Sequence, residues 1–316
     1  LKSQSLPEEI VYRTLPELLD PADARLFEAE RERTFPAVST RTVSGDFFPA
    51  GWEGDARGWK GFVKNRLVVL RTRRRTFHPR PGRTPLVATD RFSNGYFHWV
   101  TETLPRLWWL KDQLKGLELI LPAFSERLPY MVQSLALFPD LAFRTVDDKT
   151  RWRLDRALLV PALAPGGNYR PQFLQEVGDA WRRKSSPLVP YRRLYVSRSK
   201  AALRRLVNDN EVRRVLEKRG FETVHLEGMA FADQVRLLSE TTHLVGNHGA
   251  GLTNMLFMTP GTKVTEIRLR GDAHNNCYFS LAAALGLDYS YRLGDPVRGG
   301  EGAHTADLRV DPESLV

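Results

Sequence analysis

His248 sits in Val245-Gly-Asn-His-Gly-Ala-Gly-Leu-Thr-Asn254, a run of small and polar residues that closes a short apolar stretch. Glycine has no Cβ, so such a turn lets a ligand approach the backbone closely. The apolar Leu252, Met255 and Leu256 then recur at helical spacing, and free N–H groups at a helix start attract phosphate. Gly249, Ala250 and Gly251 would supply those groups. Asn247, Thr253 and Asn254 add polar side chains that a plain turn does not need. Glu266, on the strand expected over 263–267, would accept hydrogen bonds from a ribose. The stretch reads as a nucleotide-diphosphate pocket. A merely structural βα turn is the competing reading, and it has no use for the ionisable ring of His248.

A second group lies at Ser197-Arg-Ser-Lys200, with Arg204, Arg205 and Asn208 beyond it. It follows a predicted strand over 194–197. In open α/β sheets ligands bind beyond the carboxyl ends of strands, so Arg198, Arg204 and Arg205 belong on the same rim as His248. Arginine grips phosphate through paired, charge-assisted hydrogen bonds and can offset a pyrophosphate without a metal. A solvated basic loop is the alternative. No carboxylate pair suited to Mg²⁺ or Mn²⁺ accompanies the group, and neither a metal nor a cofactor is expected.

The third group is Asn94-Gly-Tyr-Phe-His-Trp-Val-Thr-Glu-Thr-Leu-Pro-Arg106. His98 and Glu102, four residues apart, share a helix face. A histidine oriented by a carboxylate is a general-base candidate, and the sequence leaves open which of the two is the base. An ordinary surface pair is the competing reading. The His-Glu-x-x-His pattern of a zinc site is absent.

These groups need a scaffold. Predicted strands fall at 66–71, 84–89, 117–121, 142–146 and 157–160, with helices at 94–115, 126–137 and 171–184. The stretch 185–190 is punctuated by prolines and reads as a linker. Beyond it, strands at 194–197, 221–226, 243–246, 263–267 and 288–291 alternate with helices at 208–219, 231–240, 251–257 and 275–286. Asn208 and Glu211 suggest an approximate capping box for the first of these helices. Such alternation predicts a parallel sheet covered on both faces. The expected domains are an irregular extension over 1–60 and two Rossmann-like domains over 61–187 and 188–316 that face a cleft.

Composition narrows the partners. The 316 residues carry a net charge of +10 and one cysteine, Cys277, so an internal disulfide and a cysteine-rich metal site are excluded. No apolar run approaches the roughly 20 residues of a membrane span, and the first residues lack the apolar core of a signal peptide. Nucleic acid is not expected, since no zinc finger, RNP signature or helix-turn-helix is found. An anionic membrane surface is compatible with the basic run Arg73-Arg-Arg75, which otherwise reads as a solvated face. The expected location is cytoplasmic, either free or peripheral at the inner face of the cell membrane.

Taken in order, the motifs resemble glycosyltransferase family 61. Its first signature is similar to Phe97-His98-Trp99 with Glu102 and Leu104-Pro105-Arg106. Its next block is similar to Ser197-Arg198, Arg204, Arg205, Asn208 and Glu211. Gly220-Phe221-Glu222, Phe231-Ala-Asp-Gln234, the His248 block and Glu266-Ile267 complete it. The resemblance covers about residues 90–290. It implies a GT-B fold and an inverting transferase that moves a sugar from a UDP-sugar to a hydroxyl of a glycan or polysaccharide. The lack of disulfides is more like bacterial members associated with capsular or exopolysaccharide synthesis. Two other classes remain: a non-catalytic nucleotide-sugar or polysaccharide-binding module, and an NAD-dependent oxidoreductase. The latter would carry its glycine fingerprint on the first βα unit, not on a late strand.

Overall fold

The computed structural model describes residues 40–47, 73–90, 92–164, 167–185, 189–270, 276–297 and 305–315. Most of the predicted extension over 1–60, the strand expected at 66–71 and part of the linker fall outside them. The chain forms two compact units that divide between Leu163 and Ala164.

The first unit holds a six-stranded sheet, β1 (Arg41–Phe47), β2 (Arg74–Thr76), β3 (Thr84–Val87), β4 (Leu117–Pro122), β5 (Ala142–Val146) and β6 (Arg151–Leu159). The order is β1-β6-β3-β4-β5, with β2 also pairing with β6. Only β1 runs antiparallel to its neighbour. All six residues of β4 are buried, as a parallel strand covered on both faces requires. Phe77, Val87, Ile120, Val146, Leu154 and Ala157 form a core cluster. The chain runs outward from β3 to β5 and then returns to β6 beside β3, the reversal that defines a switch point in doubly wound sheets.

After β3 comes a helix, α1, over 96–109. It is built from a short α-segment Tyr96–His98, a π-turn Trp99–Thr103 and an α-segment Leu104–Trp109. Pro105 explains the interruption. Its nitrogen cannot donate to the Thr101 carbonyl, and its ring would crowd that carbonyl. The ladder widens instead, with Leu104 N–H donating to the Trp99 carbonyl, five residues back. The helix is thus shorter than the 94–115 expected. Likewise the helix expected at 126–137 is confined to α2 (Pro129–Ser134) between two 3-10 turns, because Pro129 suits only a first helical turn.

The second unit opens with α3 (Pro171–Lys184), whereas the sequence placed this helix before a boundary at 187/188. The reason is packing. Gln175 Nε2 donates to the Ala284 carbonyl at 2.7 Å, and Arg182 Nη1 to that of Met258 at 2.7 Å. A Cβ on Gly178 would lie 2.5 Å from the Leu256 carbonyl oxygen. The sheet comprises β7 (Arg192–Val196), β8 (Glu222–Val224), β9 (Thr241–Asn247), β10 (Lys263–Leu269), β11 (Asp288–Pro296) and β12 (Leu308–Arg309). Their order is β12-β11-β10-β9-β7-β8, and all but β12 are parallel. Helices α4 (Asp209–Lys218), α5 (Phe231–Ser239) and α6 (Cys277–Leu285) connect them, with a 3-10 helix Ala250–Phe257 after β9. The five parallel strands follow the order 2-1-3-4-5 of one doubly wound family, whose switch point lies between the first and third, here β7 and β9. The fold is therefore mixed α/β, with two mainly parallel, Rossmann-like sheets.

A polar row crosses this second sheet. His243 Nε2 lies 2.9 Å from Thr265 Oγ1, which lies 3.0 Å from Ser290 Oγ. Burial, then the charges of Lys263 and Arg193, push the His243 pKa from 6.5 down to about 4. A depressed histidine pKa contributes stability that is complete above the unfolded value and is lost as pH falls through the folded one. The wild type should therefore lose more melting temperature between pH 7 and pH 4 than His243→Gln does. Equal losses by calorimetry would exclude this histidine as the cause.

Candidate functional site

The carboxyl ends of β7 and β9 carry most of the residues that the sequence singled out in the second unit. Beyond β7, Asp209 Oδ1 accepts from Tyr195 Oη at 2.6 Å and from Ser197 Oγ at 2.9 Å, and the Ser199 N–H donates to Ser197 Oγ at 3.1 Å. These bonds fix where the chain leaves the strand and so where Arg198 begins. Arg198 Nη2 donates to the Leu203 carbonyl at 3.1 Å, while its Nε is buried with no hydrogen-bond partner among the described residues. Burial first, and then the charge of Arg204, hold the Arg198 pKa below its ordinary value, with Tyr278 and Glu227 opposing more weakly. Among the described residues neither Arg198 nor Arg204 forms an ion pair. Two neighbouring cations, one partly desolvated and neither in an ion pair among the described residues, make the local potential positive.

Gly249 explains how Arg198 reaches this position. Its φ of 160° is extended backbone that any residue adopts. What excludes a side chain is space: a Cβ would meet Arg198 Nη1 at 2.3 Å and Cζ at 3.0 Å. Gly251 is constrained separately, since a Cβ there would approach Val196 Cγ1 to 2.9 Å. The following helix winds as 3-10, not α, and residues 252–257 are all buried. Its first ladder bond runs from Leu252 N–H to the Gly249 carbonyl at 2.9 Å, so the Ala250 and Gly251 N–H groups precede the ladder. Asn254 Nδ2 donates to the Gly251 carbonyl at 3.2 Å. Thr253 is fully buried beside the hydroxyl of Tyr278.

His248 is held by a buried carboxylate. Its Nδ1 lies 2.5 Å from Glu266 Oε1, and Tyr289 Oη donates to Glu266 Oε2 at 2.5 Å. Glu266 is 1% exposed. Burial pushes its carboxyl up, but His248, Arg268 and the Tyr289 hydroxyl outweigh that and hold it below the usual range. The Tyr278 ring meets the His248 ring edge-on at 5.0 Å, and burial keeps its phenol un-ionised.

The predicted site residues thus separate. Arg198, Arg204, Asn247, His248, Gly249, Ala250, Gly251, Thr253 and Asn254 gather at one rim. Arg205 turns away, its Nη2 2.9 Å and Nε 3.2 Å from Asp307 Oδ2. Asn208 is buried and binds Val310, with Nδ2 2.8 Å from the carbonyl. It stands at the start of α4 without a side-chain cap, so the expected capping box is reduced to a 3.4 Å contact with Glu211. Glu266 faces His248 and Tyr289, not solvent where a ribose would lie. Tyr278, Tyr289, Arg268 and Asp209 were not legible as site residues, because each acts across strands or from a later helix.

In the first unit, His98 Nδ1 lies 3.0 Å from Glu102 Oε1 at the entrance to the π-turn. The side chains are 31% and 12% exposed, so the dyad faces solvent through the histidine. Behind it the buried Arg106 donates to Asp90 at 2.7 Å and to the Ala88 carbonyl at 2.9 Å, and lies 3.9 Å from Glu102 Oε2. Phe92 stacks on the imidazole at 5.1 Å with 26° between planes. Arg73, Arg74 and Arg75, the basic run, are exposed at β2.

With this geometry in place, the relationships of the chain follow. A family model described as Glycosyltransferase 61 matches residues 96–265, more than half of the chain, and the chain belongs to that family. It is 33% identical over 91 residues to an EGF domain-specific O-linked N-acetylglucosamine transferase of Bos taurus, covering 27% of this chain and 17% of the relative. It is 43% identical over 72 residues to a protein O-linked-mannose beta-1,4-N-acetylglucosaminyltransferase 2 of Canis lupus familiaris, covering 22% of this chain and 12% of the relative. The matches therefore span less than a fifth of these relatives.

Gly249→Ala should displace the Arg198 guanidinium while leaving the backbone intact. Pyrophosphate affinity, measured by calorimetry, should fall about tenfold, the loss of one charge-assisted hydrogen bond. The melting temperature should move little, because the clash is with the end of a flexible side chain. Unchanged affinity would separate the glycine from the anion site.

Proposed function

We propose that the chain is an inverting glycosyltransferase of the GT-B class, which takes a UDP-sugar on the second unit and activates an acceptor hydroxyl with the first. The observation that carries this reading is the Arg198–Arg204 pair at the β7/β9 switch point of a family 61 chain, neither arginine being in an ion pair among the described residues. The diphosphate would lie against both guanidinium groups and the Ala250 and Gly251 N–H groups, which stabilise charge on the leaving UDP. Glu266 is reassigned from ribose binding to orienting His248, and Arg205 and Asn208 from ligand contact to holding the loop. The relatives' names mention N-acetylglucosamine transfer, so UDP-N-acetylglucosamine is the first donor to test. The acceptor is a glycan or polysaccharide hydroxyl.

At the first unit, Glu102 accepts a hydrogen bond from the Nδ1–H of His98, which leaves the Nε2 lone pair to take the proton of the acceptor hydroxyl. The oxygen attacks the anomeric carbon from the face opposite the diphosphate, the C–O bond to the diphosphate breaks, and the configuration inverts. No step calls for a metal, because the arginines supply the positive charge. The oxidoreductase reading loses support, since Arg198, not a glycine fingerprint, follows the first strand of the second unit.

Three outcomes test this. Arg198→Ala should weaken UDP binding by about 1.5–3 kcal/mol, the range for a hydrogen bond to a charged group, whereas Arg75→Ala should not change it. Transfer should persist in EDTA, and activity abolished by EDTA and restored by Mn²⁺ would reveal a missed metal ligand. His98→Ala should lower turnover by roughly 10²–10⁴-fold with UDP affinity retained. Normal turnover in that variant would move the base to Glu102 or remove the motif from catalysis.

A further inference from the structure

Arg204 has a φ of 57°, the only positive value among the described non-glycine residues. That left-handed conformation is disfavoured for a side chain of this size. Something must hold it, and the contacts on both sides are specific. On one side Asn247, the last residue of β9, donates from Nδ2 to the Arg204 carbonyl at 3.1 Å. On the other, the next residues are fastened to the C-terminal strand. Arg205 is bound to Asp307 through its backbone N–H at 2.8 Å and through its guanidinium. Leu206 bridges to Leu308, and Asn208 binds Val310. Ala306, Leu308 and Val310 are in turn part of the core of the second unit.

Resting on the donor-site reading above, we propose that Asp307 and Asn247 are positioning residues for the anion site. They impose the left-handed turn that sets Arg204 beside Arg198. The strain is retained because the same backbone with a relaxed φ would send the Arg204 side chain elsewhere. Such outliers persist only where surrounding contacts over-determine them. The sequence assigned Arg205 to the ligand; the geometry makes it the link through which Asp307 acts.

The signs of the effects discriminate. Asp307 is an anion near an anion site, so by electrostatics alone Asp307→Asn would tighten pyrophosphate binding. Positioning predicts the reverse. Calorimetry on the full chain with inorganic pyrophosphate and with UDP should show about tenfold weaker binding in Asp307→Asn and in Arg205→Gln. The double variant should be no worse than either, and Asp307→Glu should recover most of the affinity. Arg204→Gly relieves the backbone and removes the cation, so its melting temperature should be unchanged or higher while pyrophosphate affinity drops tenfold or more. Equal or tighter binding in Asp307→Asn overturns the inference, as does a clearly lower melting temperature in Arg204→Gly. If Asp307→Asn fails to fold, Arg205→Gln and Arg204→Gly still decide it. A wild-type chain that binds neither probe removes the donor-site reading itself, and this inference with it. A wild type that binds both, with variants unaffected, removes only the inference.

Discussion

A guanidinium taken partly out of water, with no counter-ion among the described residues, is the constraint on which the second unit's rim depends. Removing a charge from water is costly unless something compensates it. Here the compensation within the protein is small: one bond from Arg198 to the Leu203 carbonyl, and an unpartnered Nε. Many features at the rim serve to keep that cation in place. Gly249 leaves the space it fills, and the Asp209 cluster fixes the chain that carries it. Arg204 adds a second positive charge where a carboxylate would have lowered the energy. A protein selected for stability alone would have placed an acid there, as it did for Arg205 with Asp307 and for Arg192 with Glu240. The unpaired arrangement makes sense when the missing charge arrives with a ligand.

The two histidine–carboxylate pairs differ in how they are supported. His248 rests on a carboxylate buried completely, backed by Tyr289 and near Arg268, so its orientation is set by the sheet. His98 rests on a more exposed glutamate at a widened helical turn. Pi-turns recur at functional sites, and this one has a local cause in Pro105. The proline shifts the helical register just where His98 and Glu102 meet, and the buried Arg106–Asp90 pair steadies the segment behind them. The more exposed dyad is the one whose histidine reaches solvent, as the proposed acceptor role requires.

The parts of this site that the sequence displayed are those made of local spacing. The glycine turn after β9, the basic loop after β7 and the i, i+4 dyad each occupy a single stretch, although Arg205 and Asn208 of the basic loop turn to the C-terminal strand. What stayed hidden depends on strand register. Tyr289 reaches Glu266 because β10 and β11 pair Glu266 with Tyr291, which brings Tyr289 onto the same face as a diagonal neighbour. Nothing in the separate stretches specifies that register. The binding of Arg205 and Asn208 to the C-terminal strand is a contact over about a hundred residues of chain. One signal for it was present: Ala306, Leu308 and Val310 alternate with Asp307 and Arg309, the period of a strand with one buried face. The expected boundary at 187/188 rests on the prolines near 190, whereas Gly178 and Gln175 pack α3 against the later half of the chain. The 3-10 winding of 250–257 is likewise not revealed by apolar spacing alone.

The account is tested most directly by a crystal structure of the chain with UDP. The diphosphate is expected within hydrogen-bond distance of Arg198 and Arg204, and of the Ala250 and Gly251 N–H groups, at the ends of β7 and β9. A diphosphate bound instead at the exposed Arg73–Arg75 run, or in the cavity lined by Arg80 and Arg144 in the first unit, with the switch point empty, would contradict the assignment of the donor site.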